Sequence, residues 1–279
     1  MTAPEHAAAE DFTVRLETAG PIVLPGHPFK VIQAEAELVS PRFSDGRAKN
    51  ISLGPGGDVR GAADDAAAVR RLADLMGRYR AWAEGVILER APRYAGRLER
   101  GRTSLRTREV AQGNSSKRKD DRRLHVDAFA SQPTGGRRIL RMFTNINPDG
   151  EARHWQLGEP FEDHARRFLP RLRTPLPGEA WLLRRLGITR SARTAYDALM
   201  LGLHDASKLD DAYQREAPRQ AAAFEAGQSW TVFTDSVVHA AVRGRFMLEQ
   251  TFYLPVEAMA RPDAAPVRVL EGLTGRGLV

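Results

Sequence analysis

Cysteine is absent from the 279 residues. That excludes disulfide scaffolds, iron–sulfur clusters, thiolate zinc sites and cysteine nucleophiles, so any metal must be held by His, Asp or Glu. Long apolar runs are missing too: none approaches the roughly 20 residues that span a bilayer. Met1 to Asp11 has neither the basic nor the apolar stretch of a secretion signal, and a cytoplasmic chain is expected. Aromatic residues make up only 7%, which makes each Trp informative about a core or a binding surface. Histidine is limited to seven residues, a short list of metal-ligand candidates.

Positive charge is what the chain has in excess, with 42 Lys and Arg against 35 Asp and Glu, a net of +7. Residues 93–123 hold eleven of the bases and four of the acids, so the whole excess of seven falls in this segment and the remainder balances. A basic stretch of this kind calls for an anionic partner. A nucleic-acid footprint is the reading from another functional class. Tyr94 is the only aromatic residue in the segment available to stack on a base, and no nucleic-acid-binding motif surrounds it, so nucleic acid is not the expected partner.

The length suits one large domain or two small ones. Pro21–Leu24 and Phe29–Leu38 read as short strands. Between Ala62 and Ala91, the residues Val69, Leu72, Leu75, Met76, Tyr79, Trp82 and Val86 recur at spacings of three and four, which predicts a buttressing helix. A turn is expected at Gln112-Gly-Asn-Ser-Ser. The period then changes to two: Arg123–Phe129, Arg137–Ile146 and Arg153–Leu157 read as strands, with Asn147-Pro-Asp-Gly as a turn. Phe161–Leu169, Ala180–Leu186 and Arg193–Leu203 read as helices. Trp230–Val242 and Arg245–Leu254, pivoting on Arg243-Gly244, read as an antiparallel hairpin. The sum is an α+β chain, a β-sandwich or jelly roll with flanking helices.

Among the histidines, His125-Val-Asp127 stands out. On an extended segment, residues two apart face the same way, so this imidazole and this carboxylate can reach one ion. The pattern alone arises by chance about 0.4 times in a chain of this make-up, so context must decide. The context is His239, in the apolar run Ser236-Val-Val-His-Ala-Ala-Val. Two close ligands and a distant His make the 2-His-1-carboxylate facial triad, which holds Fe(II) on one face and leaves the other for cosubstrate, O2 and substrate. A 2-oxoglutarate cosubstrate needs a cation for its far carboxylate; Arg141 and Arg245 are both placed to serve. Arg106, Arg153 and Trp155 are the candidates for binding substrate, the arginines through bidentate pairing with anions and the indole through its flat face. His204 and Asp205, adjacent on a predicted helix, point about 100° apart and are poor joint ligands.

The run Ser115-Ser-Lys-Arg-Lys-Asp-Asp-Arg-Arg-Leu-His-Val-Asp-Ala-Phe, continuing through Arg138-Ile-Leu-Arg-Met-Phe-Thr-Asn-Ile-Asn-Pro, resembles the Kdo hydroxylases, where Kdo is 3-deoxy-D-manno-oct-2-ulosonic acid. So do Tyr196-Asp-Ala-Leu-Met-Leu-Gly-Leu-His-Asp-Ala and Trp230-Thr-Val-Phe-Thr-Asp-Ser-Val-Val-His-Ala-Ala through Leu248-Glu-Gln-Thr-Phe-Tyr-Leu-Pro. The likeness runs from about Lys49 to Glu271, and residues 1–45 read as a poorly matched extension before a single domain, 46–279. That domain divides into a helical buttress at 62–91, the basic segment at 93–123 and a β core at 123–254. The resemblance implies a double-stranded β-helix core with His125, Asp127 and His239 as iron ligands. It also implies a dioxygenase using Fe(II), 2-oxoglutarate and O2 to hydroxylate carbon 3 of Kdo on a lipid A precursor, with succinate and CO2 as coproducts. An anionic glycolipid substrate places such an enzyme at the inner face of the cytoplasmic membrane. The family pattern carries Pro after the Ala-Phe of the metal segment, where this chain has Ala130. A protein or peptide hydroxylase on the same scaffold is the alternative, because fold does not fix substrate.

Overall fold

The computed structural model describes residues 3–110, 116–173 and 178–279. In chain order its elements are helix α1 (Ala3–Thr18), strands β1 (Ile22–Val23), β2 (Ile51–Leu53) and β3 (Val59–Arg60), helix α2 (Ala66–Arg90), and strands β4 (Glu99–Arg106), β5 (Arg138–Asn145) and β6 (Arg153–Leu157). Helices α3 (Phe161–Phe168), α4 (Glu179–Arg185), α5 (Ala195–Leu209) and α6 (Asp211–Glu216) follow. Strands β7 (Gln220–Phe224), β8 (Ser229–Phe233), β9 (His239–Arg243) and β10 (Met247–Leu254) precede helix α7 (Pro266–Thr274).

Seven strands form one sheet in the order β1-β8-β5-β10-β4-β2-β3, and three form a second in the order β7-β6-β9. All the paired strands are antiparallel. This is the expected jelly-roll core with flanking helices. Between the sheets, Phe143, Trp155, Phe224, Trp230, Val232 and Met247 pack into one buried cluster. The outer face of the large sheet is covered by α2, started by Asp65, whose carboxylate accepts from the amides of Ala67 and Ala68 at 3.0 Å each. Its apolar stripe, Leu72, Leu75, Met76 and Tyr79, lies on Ile51, Leu53, Leu105 and Leu248, as the sequence spacing predicts.

Several elements differ from the sequence reading. Residues 33–38 are a 3-10 helix, not a strand. Strand β4, inside the basic segment, is central to the large sheet between β10 and β2, and its burial hides an alternation that its arginines obscure. The expected hairpin 230–254 does not form: β9 joins β6 in the small sheet and β10 joins β5 and β4 in the large one. The chain changes sheets at Gly244 (φ +121°) and Phe246 (φ +55°), backbone conformations that cannot continue a strand. The first residues pack on the rest of the chain: Phe12, Leu16 and Leu24 are buried with Ala83, Val86 and Ile87 of α2, and the Glu17 carboxylate accepts from the Tyr94 hydroxyl at 2.7 Å and the Ala260 amide at 2.9 Å. The turn expected at 112–116 falls, apart from Ser116, outside the described residues.

Candidate metal centre and active site

The segment Arg123–Phe129 keeps a period of two without being a strand. Leu124 and Val126 are fully buried in the core, and His125 and Asp127 turn the other way. The reason it is no strand is that it is shared between sheets. His125 exchanges two backbone hydrogen bonds with His239 on β9, at 3.0 and 2.9 Å, and the Asp127 amide donates to the Thr234 carbonyl just beyond β8 at 2.8 Å. The metal motif is the point where the chain crosses from the small sheet to the large one.

That crossing brings His125, Asp127 and His239 together, each with one ligand atom within 4.8 Å of the others and all three buried. The Nδ1 of His125 lies 2.7 Å from the Arg123 carbonyl and that of His239 lies 2.8 Å from the Val237 carbonyl. Each carbonyl can only accept, so each ring carries its proton on Nδ1 and offers a lone pair from Nε2. Burial drives the His125 imidazole down to about pH 3 and lowers His239 as well, so both are neutral ligands at physiological pH. Burial opposes the charge on Asp127, but Arg141 and His125 outweigh it and hold the carboxyl well below the usual range. The donor set fits a divalent first-row metal with open positions.

The five cationic and aromatic candidates from sequence separate into distinct places. Arg141 donates from Nη1 to Asp127 Oδ2 at 2.6 Å and from Nη2 to Glu249, so both ends of its fork are occupied by carboxylates. Arg153 and Trp155 share a face of β6, as strand parity predicts, and line the same cavity. Arg153 is fully buried, with Nη1 donating to the Gly244 carbonyl at 3.0 Å. Its Nε and the Trp155 Nε1 are buried donors without a partner among the described residues. Burial pushes the Arg153 guanidinium down to about 9. The Trp155 ring lies flat against His239, with centroids 5.0 Å apart at 23°; it is a wall behind a metal ligand, and that face is closed to a sugar. Arg106, at the end of β4, reaches the cavity while bound to Asp121 Oδ2 at 2.8 Å and Asn50 Oδ1 at 3.1 Å. Arg245 is not brought to the site: it points outward and pairs with Asp149.

The cavity, about 320 Å³, also contains residues that sequence reading passed over. His204 stands edge-on to His125 at 5.3 Å and its Nδ1 lies 3.0 Å from Asp205 Oδ1. Lys208, one turn further along α5, is 2% exposed, and its ammonium meets one carbonyl, that of Arg118, at 3.2 Å. The i, i+4 spacing of His204 and Lys208 was a readable signal that one face of α5 carries both. That helix is fixed by the reciprocal cap of Thr194 and Asp197, and Asp197 also binds the Thr134 amide at 2.7 Å, tying α5 to the loop after the metal segment. Seven cationic side chains line the cavity against three carboxylates, an excess of four positive charges before any metal enters.

A jelly roll that gathers two histidines and an aspartate at one end, beside a strongly cationic chamber, defines a non-haem iron, 2-oxoglutarate-dependent dioxygenase. Residues 2–277 match the family model described as 3-deoxy-D-manno-oct-2-ulosonic acid (Kdo) hydroxylase. The chain belongs to the Kdo hydroxylase family. A crystal structure of the Kdo hydroxylase KdoO with cobalt(II) is 41% identical, with a TM-score of 0.94 over 98% of this chain and 92% of that one. Two further KdoO structures, one with α-ketoglutarate and Fe(III) and one with succinate and Fe(III), are each 40% identical over the same shares, with TM-scores of 0.93. No curated protein matches the chain. The protein is thus an Fe(II)/2-oxoglutarate-dependent dioxygenase that hydroxylates Kdo.

Proposed function

We propose that the chain hydroxylates carbon 3 of Kdo while the sugar is attached to a lipid A precursor. One oxygen atom of O2 enters the sugar and the other enters succinate, as 2-oxoglutarate loses CO2. The observation that carries this reading is the excess of four positive charges lining the triad cavity, which favours a substrate bearing several anionic groups. Bound Fe(II) supplies the oxidising chemistry.

The protein's residues bind, aim and enclose. His125, Asp127 and His239 hold the metal, and Arg141 keeps the Asp127 carboxylate turned toward it. Arg153 takes the far carboxylate of 2-oxoglutarate. Its guanidinium is buried with no carboxylate partner, a costly arrangement that an entering carboxylate relieves, whereas Arg141 already holds two carboxylates. Lys208, Arg106 and Lys49 surround the single carboxylate of Asp121 and receive the Kdo carboxylate, while His204 bounds the same wall. Residues 3–279 act as one catalytic unit, since the buttress α2 and the N-terminal helix share its core. This reading has the lipid-linked substrate met at the cytoplasmic surface of the bilayer; among the described residues no helix is long and apolar enough to cross a membrane.

The test is iron-dependent turnover of 2-oxoglutarate with Kdo-lipid A, followed by mass spectrometry of the sugar. One added oxygen at carbon 3 is expected with the native chain, and none with His125→Ala or Asp127→Ala. Turnover stimulated equally by an unrelated peptide, or oxygen added elsewhere on the lipid, refutes the reading.

A further inference from the structure

Eight large apolar side chains are substantially exposed among the described residues, and four of them fall within 181–188: Trp181 (67%), Leu182 (49%), Leu186 (62%) and Ile188 (53%). Scattered single apolar residues need no explanation, but a cluster of this size does. Leu182 and Leu186 lie one turn apart at the end of α4, and Ile188 follows in the turn after it. Arg184, Arg185 and Arg190 rim the cluster; each is exposed and has no carboxylate partner among the described residues. The wider stretch 166–193 contains eight arginines and one acid, Glu179. This second basic segment is as strongly charged as residues 93–123, offset by acids elsewhere.

The patch is attached to the active site. The Arg190 amide donates to the Ser131 carbonyl at 3.1 Å and the Arg193 guanidinium to the Ala130 carbonyl at 3.0 Å, three to four residues beyond Asp127. Beside it runs a groove of about 420 Å³ lined by Arg118, Arg171, Arg173 and Arg193, and Arg118 also lines the catalytic cavity. An apolar tip with Trp at its head and unpaired arginines around it matches a bilayer interface, where indole and leucine enter the acyl boundary and guanidinium meets lipid phosphate.

We propose that Trp181, Leu182, Leu186 and Ile188, with Arg184, Arg185 and Arg190, dock the enzyme on an anionic phospholipid surface. The arginine groove then lies at headgroup depth and leads a lipid-linked substrate to the iron. The route for substrate rests on the function assigned above; the docking does not, and its test contains no Kdo.

The full chain is mixed with vesicles of phosphatidylcholine alone or with about 30% phosphatidylglycerol, sedimented, and followed by quenching of tryptophan fluorescence with brominated lipid. Trp155 and Trp230 are buried and Trp82 is partly buried against the core, so the quenching that disappears in Trp181→Phe is the signal that reports Trp181. Binding is expected only to the anionic vesicles, weakened at about 0.5 M salt, where screening lengths shrink to a few ångströms. Trp181→Ser/Leu186→Ser and Arg184→Glu/Arg185→Glu each lower partitioning roughly tenfold or more, on the order expected for charges and apolar groups at an interface. Val23→Ser/Ile32→Ser, at exposed apolar sites elsewhere, leaves it unchanged. Equal melting temperatures establish that the variants are folded. The proposal is overturned if the native chain ignores anionic vesicles, if both double variants bind as well as it does, or if the patch instead joins two copies and vesicles leave that dimer intact. Turnover on a soluble Kdo glycoside tests the assigned reaction separately.

Discussion

Replacing Arg141 with Leu separates two things the guanidinium does. It neutralises two buried carboxylates, Asp127 and Glu249, whose side chains are 10% and 7% exposed, and it orients Asp127 toward the metal through the 2.6 Å bond to Oδ2. Breaking a buried ion pair from one side costs about 3–5 kcal/mol, or roughly 6–20 °C in melting temperature for a chain of this size. Neutralisation and orientation predict opposite effects on metal binding. If Arg141 only neutralised charge, its removal would leave two bare carboxylates and draw a divalent ion more tightly. If it orients Asp127, affinity falls about 10–100-fold, as is usual when the partner of a ligand is removed. We expect the fall, because a carboxylate with one oxygen fixed offers the other at a defined position. Calorimetric titration of the apo chain with Co(II), beside thermal unfolding of the same samples, measures both quantities. The double variant Arg141→Leu/Glu249→Leu should recover about half of the lost stability and none of the lost affinity. Unchanged or tightened cobalt binding in Arg141→Leu would refute the orienting role.

Three further outcomes are expected. Arg153→Gln raises KM for 2-oxoglutarate roughly 30- to 150-fold with kcat little changed, from about 2–3 kcal/mol for a charged hydrogen bond lost in a buried site, whereas Arg245→Ala, which removes the partly exposed pair with Asp149 and a guanidinium lying over the Phe246 ring, both away from the cavity, stays within about twofold; the reverse ranking sinks the assignment of Arg153. Gly244→Ala places a methyl group 3.1 Å from the Arg153 backbone at φ +121°, so it costs about 1–3 kcal/mol and weakens 2-oxoglutarate binding through the Gly244–Arg153 hydrogen bond; a loss of stability with unchanged KM refutes that coupling. His164 is fully buried and its imidazole is pushed below 6.5, first by burial, so the unfolded chain binds the proton better. Stability should therefore be complete above pH 6.5 and decline as the pH falls through it, with a further decline from 4.5 toward 2 as Glu159, held down to about 2 by His164 and Arg167 against its own burial, is protonated. Urea midpoints against pH should show a flatter slope between pH 6.5 and 4.5 in His164→Gln, and an unchanged slope excludes His164 as the source.

The metal triad was legible because side-chain direction depends only on local extension, and His125 and Asp127 face one way whether or not their segment pairs with a strand. Which sheet a segment joins depends on partners distant in sequence, and alternation is silent about that, hence the false hairpin at 230–254. Arg245 sits beside a glycine turn in sequence, but that turn hands the chain from one sheet to the other and leaves the side chain outside, with Asp149. His204 was set aside as a joint ligand with Asp205, yet it lines the cavity wall together with Lys208, four residues on. The arginines of 166–193 escaped notice because charge summed over everything outside 93–123 cancels, and a sum conceals where the charges lie. The Ala-rich start of the chain has weak amphipathic contrast, and only packing reveals that Phe12 and Leu16 belong to the core.

The crossing of residues 123–129 between the sheets would give a bound metal a mechanical role. Of the three candidate ligands, His125 and His239 are neighbours across a single backbone bridge to the small sheet, and Asp127 is tied by its amide to the large sheet just beyond β8. An ion held by all three is a clasp on the open end of the sandwich, where regular strand pairing has stopped. Binding energy spent there is folding energy, about 2.7 kcal/mol when the free metal stands at 100 times its dissociation constant. Parting of the sheets at that end and release of iron are then one event, and the reactive centre is also the hasp that keeps the barrel's mouth in shape.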